Sequence, residues 1–214
     1  MVLMARQRRG CRDGSVFPIE FWFDFSSPYA HFAAHSIDEI AQRHGRTLVW
    51  RPFLLGVAFR ATGMMPLIQI PLRGNYARHD WERLARFMNV PFHLPEKHPI
   101  AALAASRMFY WIEQQDGARA AEFAKRVFHA YFAEGIDISD VEDVAEIGVG
   151  CGFERADLVA AAADAAMKER LRAVTDEALG RGIFGSPFVI VDGEPFWGVD
   201  RLPMVEEWLR RGGW

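Results

Sequence analysis

The 214-residue sequence predicts an α/β fold, with a βαβ unit at its start, a ββα unit at its end and a large all-helical domain inserted at its middle. Three observations carry this reading. An aromatic run at 17–25 is followed by helical periodicity and then by a second apolar run at 47–55. From 57 to 181 the apolar spacing is helical almost throughout. Near the end, the apolar run Phe188 to Val191 meets Asp192-Gly193, a residue pair suited to a two-residue hairpin. Residues 17–56 and 182–214 therefore read as one domain, 57–181 as a helical insert, and 1–16 as a disordered basic tail.

Each element has its own signal. Residues 17–25 (FPIEFWFDF) are rich in aromatic and β-branched side chains, which suits a strand buried on at least one side, although Glu20 and Asp24 interrupt it. Ser26, Ser27 and Pro28 punctuate its end. Phe32, Ala33, Ile37, Ile40 and Ala41 then recur at helical spacing over 29–44, and Gly45 closes the run. A second strand follows at 47–55, and strand, helix, strand in this order suggests a parallel pair. In the insert, a loop with Pro66 and Pro71 leads to a helix at 76–88, and Pro91, Pro95 and Pro99 break the chain. Further helices are expected at 100–115, 118–133, 141–149, 155–163 and 165–179. Asp140, Glu142 and Asp143 crowd one helix start, where the dipole favours negative charge. After the hairpin, 202–211 closes the chain as an amphipathic helix with Val205, Trp208 and Leu209 on one face.

Composition narrows the function classes. The formal net charge is -3, which gives no reason to expect nucleic acid as a partner. No apolar run approaches the ~20 residues that span a bilayer, so no membrane partner and a cytoplasmic location are expected. The tail's Arg6, Arg8, Arg9 and Arg12 lack the apolar core of a secretory signal. The two cysteines, Cys11 and Cys151, form neither a CxxC pair nor a metal-ligand spacing, and the seven histidines form no cluster such as HExxH; no metal site is expected.

Chemistry concentrates at the first strand-to-helix junction. Proline favours the first helical position, which makes Ser27 the N-cap. A Ser-Pro pair opening a helix is commonly only a cap. The same geometry also suits a thiolate, because a helix N-terminus presents free N–H groups and partial positive charge, and the Ser27 hydroxyl adds a donor. No cysteine stands there, so such a thiol would arrive with a ligand.

Four motifs then define a resemblance: F-D-F-S-S-P at Phe23 to Pro28, P-F-L-L-G at Pro52 to Gly56, G-S-P at Gly185 to Pro187 and W-G-V-D-R at Trp197 to Arg201. From about Phe17 onward the chain resembles the 2-hydroxychromene-2-carboxylate isomerases and the kappa-class glutathione transferases, both within the DsbA-like thioredoxin superfamily. The resemblance implies a thioredoxin-like fold, glutathione as cofactor, a small aromatic carboxylate as substrate and a homodimer. It implies that Ser27 contacts the glutathione sulfur and that Ser186, before a cis Pro187, pairs its backbone with the cysteinyl part. Asp200 would meet the γ-glutamyl amine with Trp197 and Gly198 beside it; the alternative for Asp200 is an N-cap for the closing helix. Arg73 falls where relatives carry a lysine and would join the glutathione contacts, while Phe59, Arg60 and Arg107 fall on the substrate side. For Arg107 two roles stay open, a substrate carboxylate or a structural acid. Departures from the family pattern are Met64 in place of an amide, and Ala101 and Ala102 in place of an Asn-Ser pair. The implied reaction is reversible thiolate addition, bond rotation and elimination. Alternatives are a kappa-class-like transferase or peroxidase, or a non-catalytic DsbA-like peptide-binding domain.

Overall fold

The computed structural model describes residues 17–214; the basic tail and Cys11 lie outside the described residues. The strands are β1 (Ile19–Phe23), β2 (Leu48–Pro52), β3 (Phe188–Val191) and β4 (Glu194–Trp197), in the sheet order β2-β1-β3-β4. β1 pairs parallel with β2 and antiparallel with β3, so the most aromatic strand lies inside the sheet. Its residues Ile19, Phe21, Trp22 and Phe23 are fully buried, as a central strand covered by helices requires. β3 and β4 form the expected hairpin. Asp192 and Gly193 both take positive φ, 53° and 85°, which matches the twist of tight hairpin turns.

Helices follow as α1 (Pro28–Ala34), α2 (Ile37–Arg43), α3 (Leu55–Thr62), α4 (Arg73–Met88), α5 (Leu103–Glu113), α6 (Gly117–Phe132), α7 (Val141–Val149), α8 (Arg155–Ala163), α9 (Ala165–Gly180) and α10 (Leu202–Arg211). A 3₁₀ turn at Leu67–Gln69 precedes α4 and another at Val199–Arg201 precedes α10. Asp116, Asp140 and Asp164 cap α6, α7 and α9 through side-chain acceptance of backbone N–H groups. Among the described residues no helix is long and apolar enough to cross a membrane.

The strand expected over 17–25 shortens to Ile19–Phe23 and the helix over 100–115 to Leu103–Glu113, and three further elements differ from the sequence-based expectation. The helix over 29–44 is two segments, because the His35 and Ser36 N–H groups bond back to Phe32 and Ala33, tightening the chain before Ser36 starts α2. The strand over 47–55 stops at Pro52, where the ladder with the five-residue β1 runs out at Phe23; Leu55 instead opens α3. α4 begins at Arg73 rather than near residue 76, since the Gly74 N–H already bonds the Ile70 carbonyl.

The inserted helices share one core with the sheet. Phe23 lies 5.4 Å from Phe128 of α6 and 6.2 Å from Phe109 of α5, ring centre to ring centre. The hydroxyl of buried Tyr110 donates to the Pro52 carbonyl at 2.6 Å, tying α5 to the end of β2. His31 of α1 is fully buried, its Nε2 donating to the Pro91 carbonyl at 3.0 Å; burial pushes its pKa down to about 4, so it is neutral in the fold. Because Phe23 joins the sheet to α5 and α6 at once, Phe23→Ala should destabilise the protein by about 3–5 kcal/mol. Denaturant unfolding checks this, with the midpoint expected to fall and the slope to hold.

Candidate active site

β1 ends where α1 begins, and that junction meets the start of β3. Ser27 is the N-cap of α1: its backbone is extended (φ −96°, ψ 112°), and its Oγ accepts from the Ala30 N–H at 3.2 Å. Its hydroxyl donates to the Ser186 carbonyl at 2.9 Å, across 159 positions of sequence. Ser27 thus caps the helix and also reaches the second motif. The Ser186–Pro187 peptide bond is cis, as is His98–Pro99, which has no counterpart in the reading of the sequence.

Beside this junction stand the residues that follow β4. Gly198 donates its N–H to the Pro187 carbonyl at 3.0 Å, so the Trp197-Gly198 step lies against the Ser186-Pro187 step. Trp197 is half exposed, and its ring meets Phe184 edge-on at 4.7 Å. Gly185 permits that placement, because a Cβ there would fall 2.1 Å from the indole nitrogen. Gly198 adopts φ 108°, and a Cβ on it would fall 2.4 Å from Asp200 Oδ1. Asp200 sits in the 3₁₀ turn that packs against α1, largely exposed and paired with Arg201 at 2.7 Å. It does not cap the closing helix: the residue at that position is Arg201, with no side-chain capping bond. Ser27, Ser186, Pro187, Trp197, Gly198 and Asp200 are therefore one neighbourhood.

Arg73, the remaining glutathione candidate, and the substrate-side candidates are not joined to it by any hydrogen bond or ion pair among the described residues. Phe59 is half-buried and Arg60 exposed on α3, and Arg73 is exposed at the first position of α4. Arg107 on α5 donates to the Ala162 carbonyl near the end of α8 at 2.8 Å. Its structural partner is thus a helix-terminal carbonyl and not an acid, because late helix carbonyls lack intrahelical donors. Its Nε is buried with no protein acceptor.

Two residues of the first motif to which the sequence assigns no role, Asp24 and Ser26, and others outside the motifs complete the junction. Asp24 is buried, and its carboxylate accepts from the Ser26 N–H at 2.8 Å and the Leu55 N–H at 2.9 Å. The Asp24 N–H in turn donates to Ser186 Oγ at 2.9 Å. Desolvation raises the Asp24 pKa to about 6, and those two N–H groups oppose the rise. Ser26 Oγ accepts from the Ile100 N–H at 3.0 Å. Tyr131 donates to the Lys97 carbonyl at 2.7 Å, so His98 Nδ1, 3.2 Å away, donates to it in turn. Burial pushes the His98 pKa down to about 4, with Arg78 adding to the shift. The signal available for Asp24 was an acid inside an otherwise apolar strand end. Among the described residues no group of histidine, cysteine or acidic side chains could hold a metal. Cys151 is buried between α7 and α8, far in sequence from the junction, and burial pushes its thiol up.

A family model, DSBA-like thioredoxin domain, matches residues 18–210. "Glutathione s-transferase kappa 2" of Caenorhabditis elegans is 28% identical over 204 residues, covering 89% of this chain and 91% of the relative. "2-hydroxychromene-2-carboxylate isomerase" of Sphingobium xenophagum is 28% identical over 199 residues, covering 89% of this chain and 97% of the relative. A solved structure of a 2-hydroxychromene-2-carboxylate isomerase superposes with a TM-score of 0.83 at 27% identity, over 91% of this chain and 95% of that one. The sheet with its interposed helices has the thioredoxin-like α/β architecture that these similarities imply, and the chain belongs to the DSBA-like thioredoxin domain family.

Proposed function

We propose that the chain binds glutathione at the Ser27–Ser186 junction and uses it to isomerise 2-hydroxychromene-2-carboxylate or a similar aromatic catabolite. The observation that carries this reading is the Ser27 hydroxyl, buried at the start of α1 and 2.9 Å from the Ser186 carbonyl. It stands where the family's redox members would need a thiol, and this chain has none there. The isomerase relatives supply the reaction class.

The residues present fit a tripeptide thiol. Glycine at 198 gives Asp200 Oδ1 the space a side chain would fill, and the largely exposed carboxylate can add a γ-glutamyl ammonium to its pairing with Arg201 or exchange one for the other. The start of β3 offers Ser186 backbone groups to an extended peptide. Trp197 and Gly198 form the adjoining wall. Ser27 keeps its oxygen fixed through the Ala30 N–H and can swing its single proton from the Ser186 carbonyl to a sulfur anion.

The energy required is modest. A free thiol with pKa ~8.5 is only a few per cent ionised at neutral pH, and lowering it by ~2 units takes about 2.7 kcal/mol. α1 has only seven residues, so its dipole contributes the smaller share and the charge-assisted bond from Ser27 the larger. Bound glutathione would supply a thiolate that adds reversibly to a conjugated double bond, letting it rotate before elimination. This chain's residues orient that sulfur, hold the tripeptide with Arg73 among its contacts and, through Arg60 or Arg107, draw the substrate carboxylate; Phe59 offers the aromatic ring a contact. A cytoplasmic location accords with a reduced thiol cofactor. Leu72, Tyr76 and Phe87, all strongly exposed, offer apolar surface that a homodimer would bury.

Replacing Ser27 with alanine should lower kcat/KM for the chromene carboxylate at least ~10-fold while the fold survives with the loss of about 1–2 kcal/mol that a missing cap costs; an unchanged rate would remove Ser27 from the reaction. The equally similar kappa relative favours a second reading, glutathione conjugation or peroxide reduction. Counting free glutathione before and after many turnovers separates them. Isomerisation leaves the pool intact, whereas conjugation depletes it one for one with product and peroxide reduction converts it to its disulfide.

A further inference from the structure

We propose that ionised Asp24 is a positioning residue for the Ser27 site, holding Ser27 and Ser186 in register, and that the site loosens when Asp24 takes up a proton. The proposal deepens the glutathione reading and rests on it for its consequence, though not for its geometry.

Asp24 is the crossing point of three segments. Its two carboxylate oxygens each accept one backbone N–H, from Ser26 just before the cap and from Leu55 at the start of α3. Its own N–H holds the Ser186 hydroxyl, and its carbonyl accepts the Ser27 N–H at 3.0 Å. Every polar group of the residue is thereby engaged, and the two segments that carry Ser27 and Ser186 are both bound to it. Both partners of the carboxylate are donors with no acceptor to offer. An added proton weakens one acceptor oxygen and finds no acceptor of its own among those partners, so one of the two bonds must yield.

The surroundings leave this charge without a counterion. Among the described residues Asp24 forms no ion pair, and its partners are backbone N–H groups and the Ser186 hydroxyl. The titratable neighbour is Tyr131 of α6, whose hydroxyl is engaged with the Lys97 carbonyl and whose pKa burial pushes further up, so it stays neutral. Desolvation therefore prevails, and Asp24 titrates at about 6.

This arrangement separates positioning from simple structural support. The folded protein holds the Asp24 proton up to about pH 6, while the unfolded chain releases it near 3.8. Between these values the folded state binds more protons, so the Asp24 contribution to stability rises as pH falls. His31 and His98, buried and neutral, act in the opposite sense over the same range, so the isolated effect is read as a difference between wild type and Asp24→Asn. Fold and site respond oppositely to the same proton: the fold gains as the site loosens.

The test follows ligand-free amide NMR and calorimetric binding of S-methylglutathione, whose sulfur does not titrate, from about pH 5 to about pH 8. In wild type the Ser26, Ser27 and Leu55 amides should share an inflection near pH 6, and affinity should fall about 3–10-fold on the acid side, the loss expected for one hydrogen bond. Asp24→Asn, whose amide presents a donor to one of the two N–H groups, should bind weakly at all pH values and show no inflection. The stability of wild type relative to this variant should rise toward acid. Flat Ser26 and Leu55 amides in wild type overturn the proposal even if the variant fails to fold. So does an affinity that stays level while those amides titrate. Titrating amides with no binding at any pH would instead remove the glutathione reading and leave the Asp24 register standing.

Discussion

One hydrogen bond organises the molecule's functional end, the donation from Ser27 to the Ser186 carbonyl. It joins the end of β1 to the start of β3, two segments that the whole helical insert separates in sequence. β1 can deliver Ser27 there only because it is the inner strand, paired with β2 on one side and β3 on the other. Its aromatic residues anchor it against α5 and α6, so the insert also fixes where α1 starts. Core packing and site geometry are thus one constraint. A slip of β1 by one residue would send Phe21 and Phe23 to the face that Trp22 occupies, unseating both buried sets, and would also move Ser27 away from Ser186.

The site is built from small residues at close approaches rather than from a cluster of reactive side chains. Gly185 admits the Trp197 indole and Gly198 admits the Asp200 carboxylate. Ser27 and Ser186 supply hydroxyl and carbonyl groups. Beneath them lies a buried carboxylate with no counterion. Such a surface has little chemistry of its own, which is why the proposed reaction takes its nucleophile from a ligand. Cys151, the one cysteine among the described residues, is buried between α7 and α8, so it does not serve this junction.

Much of the fold was legible because its signals are local. The aromatic run of β1, the Asp192-Gly193 turn and the apolar stripe of α6 each announce themselves within a few residues. The misread boundaries depend on partners elsewhere. Leu54 and Leu55 extend an apolar run and look like strand, yet β2 stops where β1 stops, and the Leu55 N–H turns to Asp24. The Ser27 cap was visible from Ser-Pro alone, whereas its second partner was not, since no periodicity links positions so distant. Family resemblance assigned Ser27 and Ser186 to one ligand, and the bond between them is seen only in the fold. Asp24 stood out as an acid in an apolar strand, but its role depends on bonds to residues 31 and 162 positions away. Arg107 was conspicuous on its helix, and only the packing of α8 against α5 revealed a carbonyl as its partner.

The central claim is that a ligand's sulfur is held as an anion against Ser27. Ultraviolet thiolate absorbance of glutathione, titrated with pH in the presence of excess wild-type protein, reads that anion directly. The account predicts an apparent thiol pKa about 1–2 units below the free value of ~8.5, returning most of the way in Ser27→Ala. A bound thiol that titrates at its free value in both proteins, or one shifted equally in both, would contradict it.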